Sequence, residues 1–177
     1  VTIQSEGNSI DFGDTISSSF DTGPMSSPTR GVIACNPSGE TMEYITISTL
    51  GNASDFGETT VRRRSGGAAS NAVRGFIMGG YNPSTSTWYQ SMDYITLATL
   101  GNAIGFGDMV TATNWRQSST SSQTRAIQIA GRTQGGQFVN TIEYVQFASL
   151  GNATTFGTPL QNKRSQTTSS NGHGGLG

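Results

Sequence analysis

Large apolar residues alternate with small polar ones in three short stretches of the chain, "EYITIS" at residues 43–48, "DYITLA" at 93–98 and "EYVQFA" at 143–148. A period of two, rich in β-branched and aromatic side chains, predicts half-buried strands. Each stretch runs into "TLGNA" or "SLGNA". Gly and Asn tolerate positive φ cheaply, so a turn is expected there. "DFGE", "GFGD" and "TFGT" follow and are expected to return as the second arm of a hairpin. "RGVIAC", "RGFIMGG" and "RAIQIAG" read as short apolar strands, the second ended by a diglycine that permits close backbone approach. "VRRRSGGAASNA", at residues 61–72, reads as a loop plus a short strand. No segment carries a 3.6-residue apolar period. The chain is expected to be all-β.

These stretches recur in step. Gly-Asn pairs fall at Gly7, Gly51, Gly101 and Gly151, at steps of 44, 50 and 50 residues, and Phe-Gly pairs keep the cadence at Phe12, Phe56, Phe106 and Phe156. A second block does the same, "TRGVIAC" from Thr29, "VRGFIMGG" from Val73, "TRAIQIAG" from Thr124 and "HGGLG" from His173. Four short strands in a unit of about fifty residues predict the blade of a β-propeller. The 177 residues then form one repeat domain with approximate units 1–43, 44–93, 94–143 and 144–177. In this phase residues 1–16 supply the third and fourth strands of the blade whose first two lie in 159–177. The two termini would share a blade and leave no sheet edge open. A closed ring of about four blades and an arc of a larger propeller both satisfy the pattern.

At this point the residues resemble the kelch family. An apolar strand ending in Met78-Gly79-Gly80 is followed by the acidic-aromatic pair Asp93-Tyr94, with Glu43-Tyr44 and Glu143-Tyr144 in the neighbouring units. Only that unit keeps the full diglycine, and the family's downstream Trp is replaced by Phe12, Phe56, Phe106 and Phe156. The wording "YITISTLGNASDFGE" with "TRGV" is more closely similar to kelch-like repeats in structural proteins of marine tailed bacteriophages. That resemblance implies a virion component, a fibre or surface-decoration protein. Its partners would be other virion proteins or host-surface glycans, and a homo-oligomer is possible. A secreted cellular adhesion protein is the alternative, and a carbohydrate-active enzyme a more distant one.

Ten basic and eleven acidic residues leave a net charge of −1, which gives no field to draw the protein to nucleic acid or an anionic membrane. No apolar run approaches the ~20 residues of a membrane span, and no signal-like segment opens the chain. Val1 stands where an initiator methionine would, so a preceding segment is expected. Cys35 is the one cysteine and is expected to be a small buried residue, which leaves the redox compartment open.

Arg30, Arg74 and Arg125 recur ahead of the apolar strand, while Asp14, Glu58 and Asp108 follow Phe-Gly. The fourth unit has His173 and Thr158 at the two places, so both groups are lost together. That pairing predicts a repeated structural Arg–carboxylate bridge; the competing reading is a ring of anion ligands. Arg62, Arg63 and Arg64 form the one basic cluster, echoed by Lys163-Arg164. They read as solvated loop charges, with Arg63 and Arg164 at an inner-strand position, or as contacts to phosphate or acidic glycans. Trp88, Tyr89 and Trp115 lie in loops that vary between units, and could stack on sugar rings. No metal or cofactor is expected, because one His and one Cys cannot build a copper centre of the kelch-like oxidase type. No zinc, nucleophile-elbow, phosphate-loop or calcium motif is present. Asp11, Asp55, Asp14 and Asp108 could pair as hydrolytic carboxylates, but their repetition argues for structure.

Overall fold

Three four-stranded antiparallel meanders hold most of the strands in the computed structural model, which describes residues 8–113, 118–161 and 168. The first contains β1 (Gly23–Ser26), β2 (Arg30–Ala34), β3 (Thr41–Thr46) and β4 (Ser54–Glu58). The second begins with β5 (Gly67–Ser70) and β6 (Arg74–Met78). A small hairpin, β7 (Tyr81–Asn82) and β8 (Thr87–Trp88), then precedes β9 (Ser91–Thr96) and β10 (Ile104–Asp108). The third contains β11 (Ser118–Ser121), β12 (Arg125–Arg132), β13 (Phe138–Gln146) and β14 (Thr154–Gly157). The all-β expectation holds, with no helix among the described residues. The four sheets, counting the small hairpin, form no closed barrel or ring among those residues. The sharing of one blade by the two termini falls largely on residues 1–7 and most of 162–177, which lie outside the described residues, while the described residues 8–16 form no strand.

Period-two alternation places the two faces of each sheet against different neighbours. Met25, Val32, Ala34, Met42 and Phe56 of the first sheet cluster with Ile77, Ile95 and Leu97 of the second. Phe76, Met78, Met92 and Phe106, on the other face of the second sheet, cluster with Ala126, Val145 and Phe147 of the third. Phe76 is the centre of that layer, with ring centroids 4.5 Å from Phe106 and 4.8 Å from Phe147. Truncating a buried aromatic of this kind to Ala costs about 3–5 kcal/mol. The middle sheet is therefore covered on both faces.

The Phe-Gly and Gly-Asn pairs interlock adjacent sheets. In β4 and β10 the Phe is skipped in the register, a β-bulge that leaves its backbone free of the ladder. The Phe56 carbonyl then accepts from Gly101 N–H at 2.8 Å, and Phe106 from Gly151 at 3.2 Å. Phe12 accepts from Gly51 at 2.8 Å in the same way. The carbonyls of Asp14, Glu58 and Asp108 accept from Ala53, Ala103 and Ala153, and their amides donate to Asn52, Asn102 and Asn152 Oδ1 at 2.9–3.0 Å. A Cβ on Gly13, Gly57 or Gly107 would lie 2.3–2.4 Å from the docked Gly carbonyl, and all three adopt positive φ. Only glycine fits. The expected hairpin turn is thus also the clamp between successive units.

The first strands line up along the opposite edge. Ser70 Oγ donates to the Ser26 carbonyl at 2.9 Å and accepts from the Ser26 amide at 3.0 Å. Ser121 Oγ donates to the Ser70 carbonyl at 2.6 Å. Thr168 continues the series, donating to the Ser119 carbonyl at 2.8 Å.

Candidate functional site

An antiparallel meander sends alternate connections to opposite ends of its sheet, which separates the repeated loops from the variable ones. The turns between first and second strands are built alike. Ser27 Oγ accepts from the amides of Thr29 and Arg30, Asn71 Oδ1 from Val73 and Arg74, and Ser122 Oγ from Thr124 and Arg125. They share their end of the sheets with the Gly-Asn loops. The other end carries the connections that differ, at residues 35–40, 79–90 and 133–137, and the inter-sheet segment 59–66.

Arg30, Arg74 and Arg125 lie at the repeated end, and the expected Arg–carboxylate bridge is not what they form. Each guanidinium stacks on the third-strand tyrosine of its own sheet, 5.0 Å from Tyr44, 4.9 Å from Tyr94 and 5.0 Å from Tyr144. Arg30 Nη1 donates to the Leu97 carbonyl at 2.9 Å, and Arg74 Nη1 to the Phe147 carbonyl at 2.5 Å, each just past the third strand of the next sheet. Asp14, Glu58 and Asp108 are spent through their backbones at the interlock, and their side chains are exposed. Register explains the correction. The Arg starts β2, β6 or β12, where its cross-strand neighbour region is the third strand and not the fourth. A cleft of about 300 Å³ opens beside Arg74, lined by Val73, Gln123, Thr124, Gln146 and Phe147.

The carboxylates that do bind lie one strand inward. Glu43, Asp93 and Glu143 are buried, and each accepts the amide of the segment leaving the preceding unit, from Ile16, Thr60 and Val110 at 2.8–3.0 Å. Burial raises the Glu143 pKa from 4.5, opposed by the Val110 and Thr111 hydrogen bonds. Desolvation also pushes the Cys35 thiol up to about 11, partly offset by the positive charge of Arg63. Cys35 is buried as expected and stays a thiol at neutral pH.

Arg62, Arg63 and Arg64 have three different environments. Arg63 is 0% exposed, an inner position as one of the expectations had it, and neither a solvated charge nor a ligand contact. Its guanidinium meets Asp93 at 3.1 Å, donates to the carbonyls of Gly79 and Ser91 at 2.9 and 2.8 Å, and lies 5.4 Å from the Tyr89 ring. It closes the seam between the first and second sheets. Arg62 donates twice to the Pro37 carbonyl and once to Ser84 Oγ at 2.8 Å. Arg64 lies between two rings, 5.6 Å from Phe20 and 5.4 Å from Tyr81. No described residue accepts a hydrogen bond from its guanidinium, and its Nε is buried without a partner.

Trp88 stands across the small hairpin from Tyr81, with ring centroids 5.6 Å apart, and is half-buried like Tyr89. The Tyr89 hydroxyl accepts weakly from Asn82 Nδ2 at 3.4 Å, and its amide donates to Gly80. Trp115, Lys163, Arg164 and His173 lie outside the described residues. Of the residues singled out in the sequence, the fold thus brings Arg64 and Trp88 to one place at the variable end, with Arg62 held on the same segment. It adds Phe20 and Tyr81, which sequence reasoning passed over. Tyr81 directly follows the diglycine, a position where β6 must hand the chain to a new hairpin, and that was the available signal. Among the described residues no group of His, Cys, Asp and Glu is arranged to hold a metal ion.

Compared with known proteins, the chain matches no family model and no curated relative.

Proposed function

We propose that the protein is a non-catalytic interaction module, a β-propeller-type array that presents its variable end to a partner. In this reading the interlocked sheets supply a rigid scaffold, and the Arg64–Phe20–Tyr81–Trp88 cluster supplies the contact. The single observation that carries it is the Arg64 guanidinium, near two rings and without an acceptor among the described residues. A planar guanidinium of this kind suits a bidentate carboxylate or phosphate, and the neighbouring aromatic rings suit the apolar face of a sugar. An acidic glycan of a host surface combines both groups. The resemblance to repeat-bearing structural proteins of marine tailed phages is the support for reading such a module as part of a virion, a fibre or surface-decoration protein. The radial order of sheets is supported by the first strands, which succeed one another from Ser26 to Ser70 to Ser121.

Glycan-array binding tests the reading. Wild-type protein is expected to retain uronate- or sialate-bearing glycans, and both Arg64→Ala and Trp88→Ala to lose them while melting as wild type. An array with no bound acidic glycan would overturn it.

A second reading, contact with neighbouring virion proteins, is favoured by Leu50, Leu100 and Leu150. Each is more than half exposed, at the same position of successive Gly-Asn loops. Leu100→Ser would then leave glycan binding intact and disturb particle assembly.

A further inference from the structure

The cleft beside Arg74 lies where the second and third sheets meet, at the end that carries the repeated loops. The arginine there is already oriented. Its guanidinium lies 4.9 Å over the Tyr94 ring, and Nη1 donates to the Phe147 carbonyl at 2.5 Å. Nε and Nη2 have no acceptor among the described residues. Across the seam, Asn71 Nδ2 donates to the Gln123 carbonyl at 2.9 Å and ties the first turns of the two sheets together. The wall fixed in this way carries three further polar side chains. The side-chain amides of Gln123 and Gln146 bond no described residue, and the Thr124 hydroxyl meets only Ser122 Oγ, at 3.4 Å. Val73, 59% exposed, adds an apolar surface.

The seam between the first and second sheets is a comparison within the same chain. Arg30 stacks there on Tyr44 at 5.0 Å and bonds the Leu97 carbonyl at 2.9 Å. Register equates Thr96 with Gln146, because Thr96 pairs with Arg74 as Gln146 pairs with Arg125. The first turns equate Ala72 with Gln123 and Val73 with Thr124, counted from the capping Asn71 and Ser122. Arg30 therefore faces a seam with Ala72, Val73 and Thr96 at the places where Arg74 has Gln123, Thr124 and Gln146. The stacked arginine belongs to both seams. The polar lining belongs to one.

That lining selects a ligand class. It holds one cation and no acid, which matches a single negative charge. Nε and Nη2 share one edge of a guanidinium, a spacing that meets the two oxygens of a carboxylate. The two amides and the hydroxyl can each donate and accept, as hydroxyl groups beside that carboxylate require. A volume of about 300 Å³ is at the small end for ligand sites, with room for one sugar-sized ring.

We infer that the cleft between the second and third sheets binds a small hydroxycarboxylate of sugar-acid size, with Arg74 taking the carboxylate and Gln123, Thr124 and Gln146 the hydroxyls. The site lies at the opposite end of the sheets from the Arg64 cluster, and either can fail without the other. A free sugar acid and the end residue of an acidic glycan share this chemistry.

Amide chemical shifts of the isotope-labelled protein, titrated with D-glucuronate, test the assignment. Saturable shifts are expected at Gln123, Thr124, Gln146 and Phe147, with D-glucose and acetate each binding about tenfold more weakly or worse. Gln123 and Gln146 are exposed, so the Gln123→Ala/Gln146→Ala double variant should keep the wild-type Tm. It should lose about tenfold in affinity, the size of one or two neutral hydrogen bonds. Arg64→Ala should leave the titration unchanged. Methyl glucuronide separates the two sources: equal binding assigns a chain end, and much weaker binding a free acid. The site is overturned by an absence of saturable shifts, or by glucose or acetate binding as tightly as glucuronate. Unchanged affinity in the double variant overturns it too. So do equal shifts at Ala72 and Leu97, which would make binding a property of any stacked arginine, or shifts confined to Arg64, Tyr81 and Trp88.

Discussion

Arg63 and Asp93 meet at 3.1 Å with both side chains out of reach of water, one on the segment leaving the first sheet and the other in the middle of β9. Asp93 also accepts from the Thr60 amide and hydroxyl, and Arg63 from its side holds two backbone carbonyls of the second sheet. The pair is thus a buried, charged centre of the seam. Removing one partner of a buried pair leaves the other charge uncompensated, which costs about 3–5 kcal/mol. Arg63→Ala and Asp93→Ala are each expected to cost that much in urea unfolding, with the double variant well short of the sum. Additive losses would show that the two side chains do not act together.

The repeated arginines make a different prediction. Arg74 stacks on Tyr94 and bonds the Phe147 carbonyl, with no carboxylate involved. Arg74→Ala should destabilise by about 1–2 kcal/mol from the lost stack and charged hydrogen bond. Arg74→Lys should recover little, because an ammonium lacks the planar face. Asp108→Asn should leave the melting temperature unchanged. If Asp108→Asn were as harmful as Arg74→Ala, the carboxylate bridge expected from the repeat pattern would be restored.

That contrast shows where sequence reading succeeds and where it stops. Strand positions such as Tyr44–Thr46 and Phe76–Met78 are legible because pleat alternation and β-branched runs are local properties. The job of the Gly-Asn loop is not local. Gly101 meets Phe56 from forty-five residues away, and turn chemistry alone gives the same reading whether or not a partner docks. The signal was present only as a shared cadence of Gly-Asn and Phe-Gly. The pairing of Arg63 was hidden for a related reason. The repeat set Arg63 apart from Arg62 and Arg64 as an inner position, but its partner Asp93 lies thirty residues on, and no local pattern joins the two.

The asparagine caps of the interlock can be checked one by one. Asn52, Asn102 and Asn152 each accept a backbone amide across a sheet boundary. Replacement by Ala leaves that amide to water at an exposed rim, so each is expected to cost about 1 kcal/mol. The three sites share no hydrogen-bond partner, so the triple variant should lose close to the sum. Chemical denaturation of the four proteins decides the point, and a triple variant no less stable than one single would show that one clamp carries the whole effect.

Glu143 sets the pH dependence of the second seam. Its pKa is raised above 4.5 chiefly because burial disfavours the carboxylate, and the Val110 and Thr111 hydrogen bonds only partly offset this. A folded-state pKa above the unfolded one means that the native protein holds the proton more tightly. The stability from this group is therefore complete below the unfolded pKa and is lost as pH rises through the folded one. Glu143→Gln keeps an oxygen for the Val110 amide, at 2.9 Å in the wild type, and removes the charge that burial penalises. The variant should match the wild type in acid and exceed it at neutral pH, with the gap opening upward from about pH 4.5. Melting curves of the two proteins between pH 4 and 8 would reveal that divergence. Parallel curves would mean that the hydrogen bonds hold the carboxylate as well as water does.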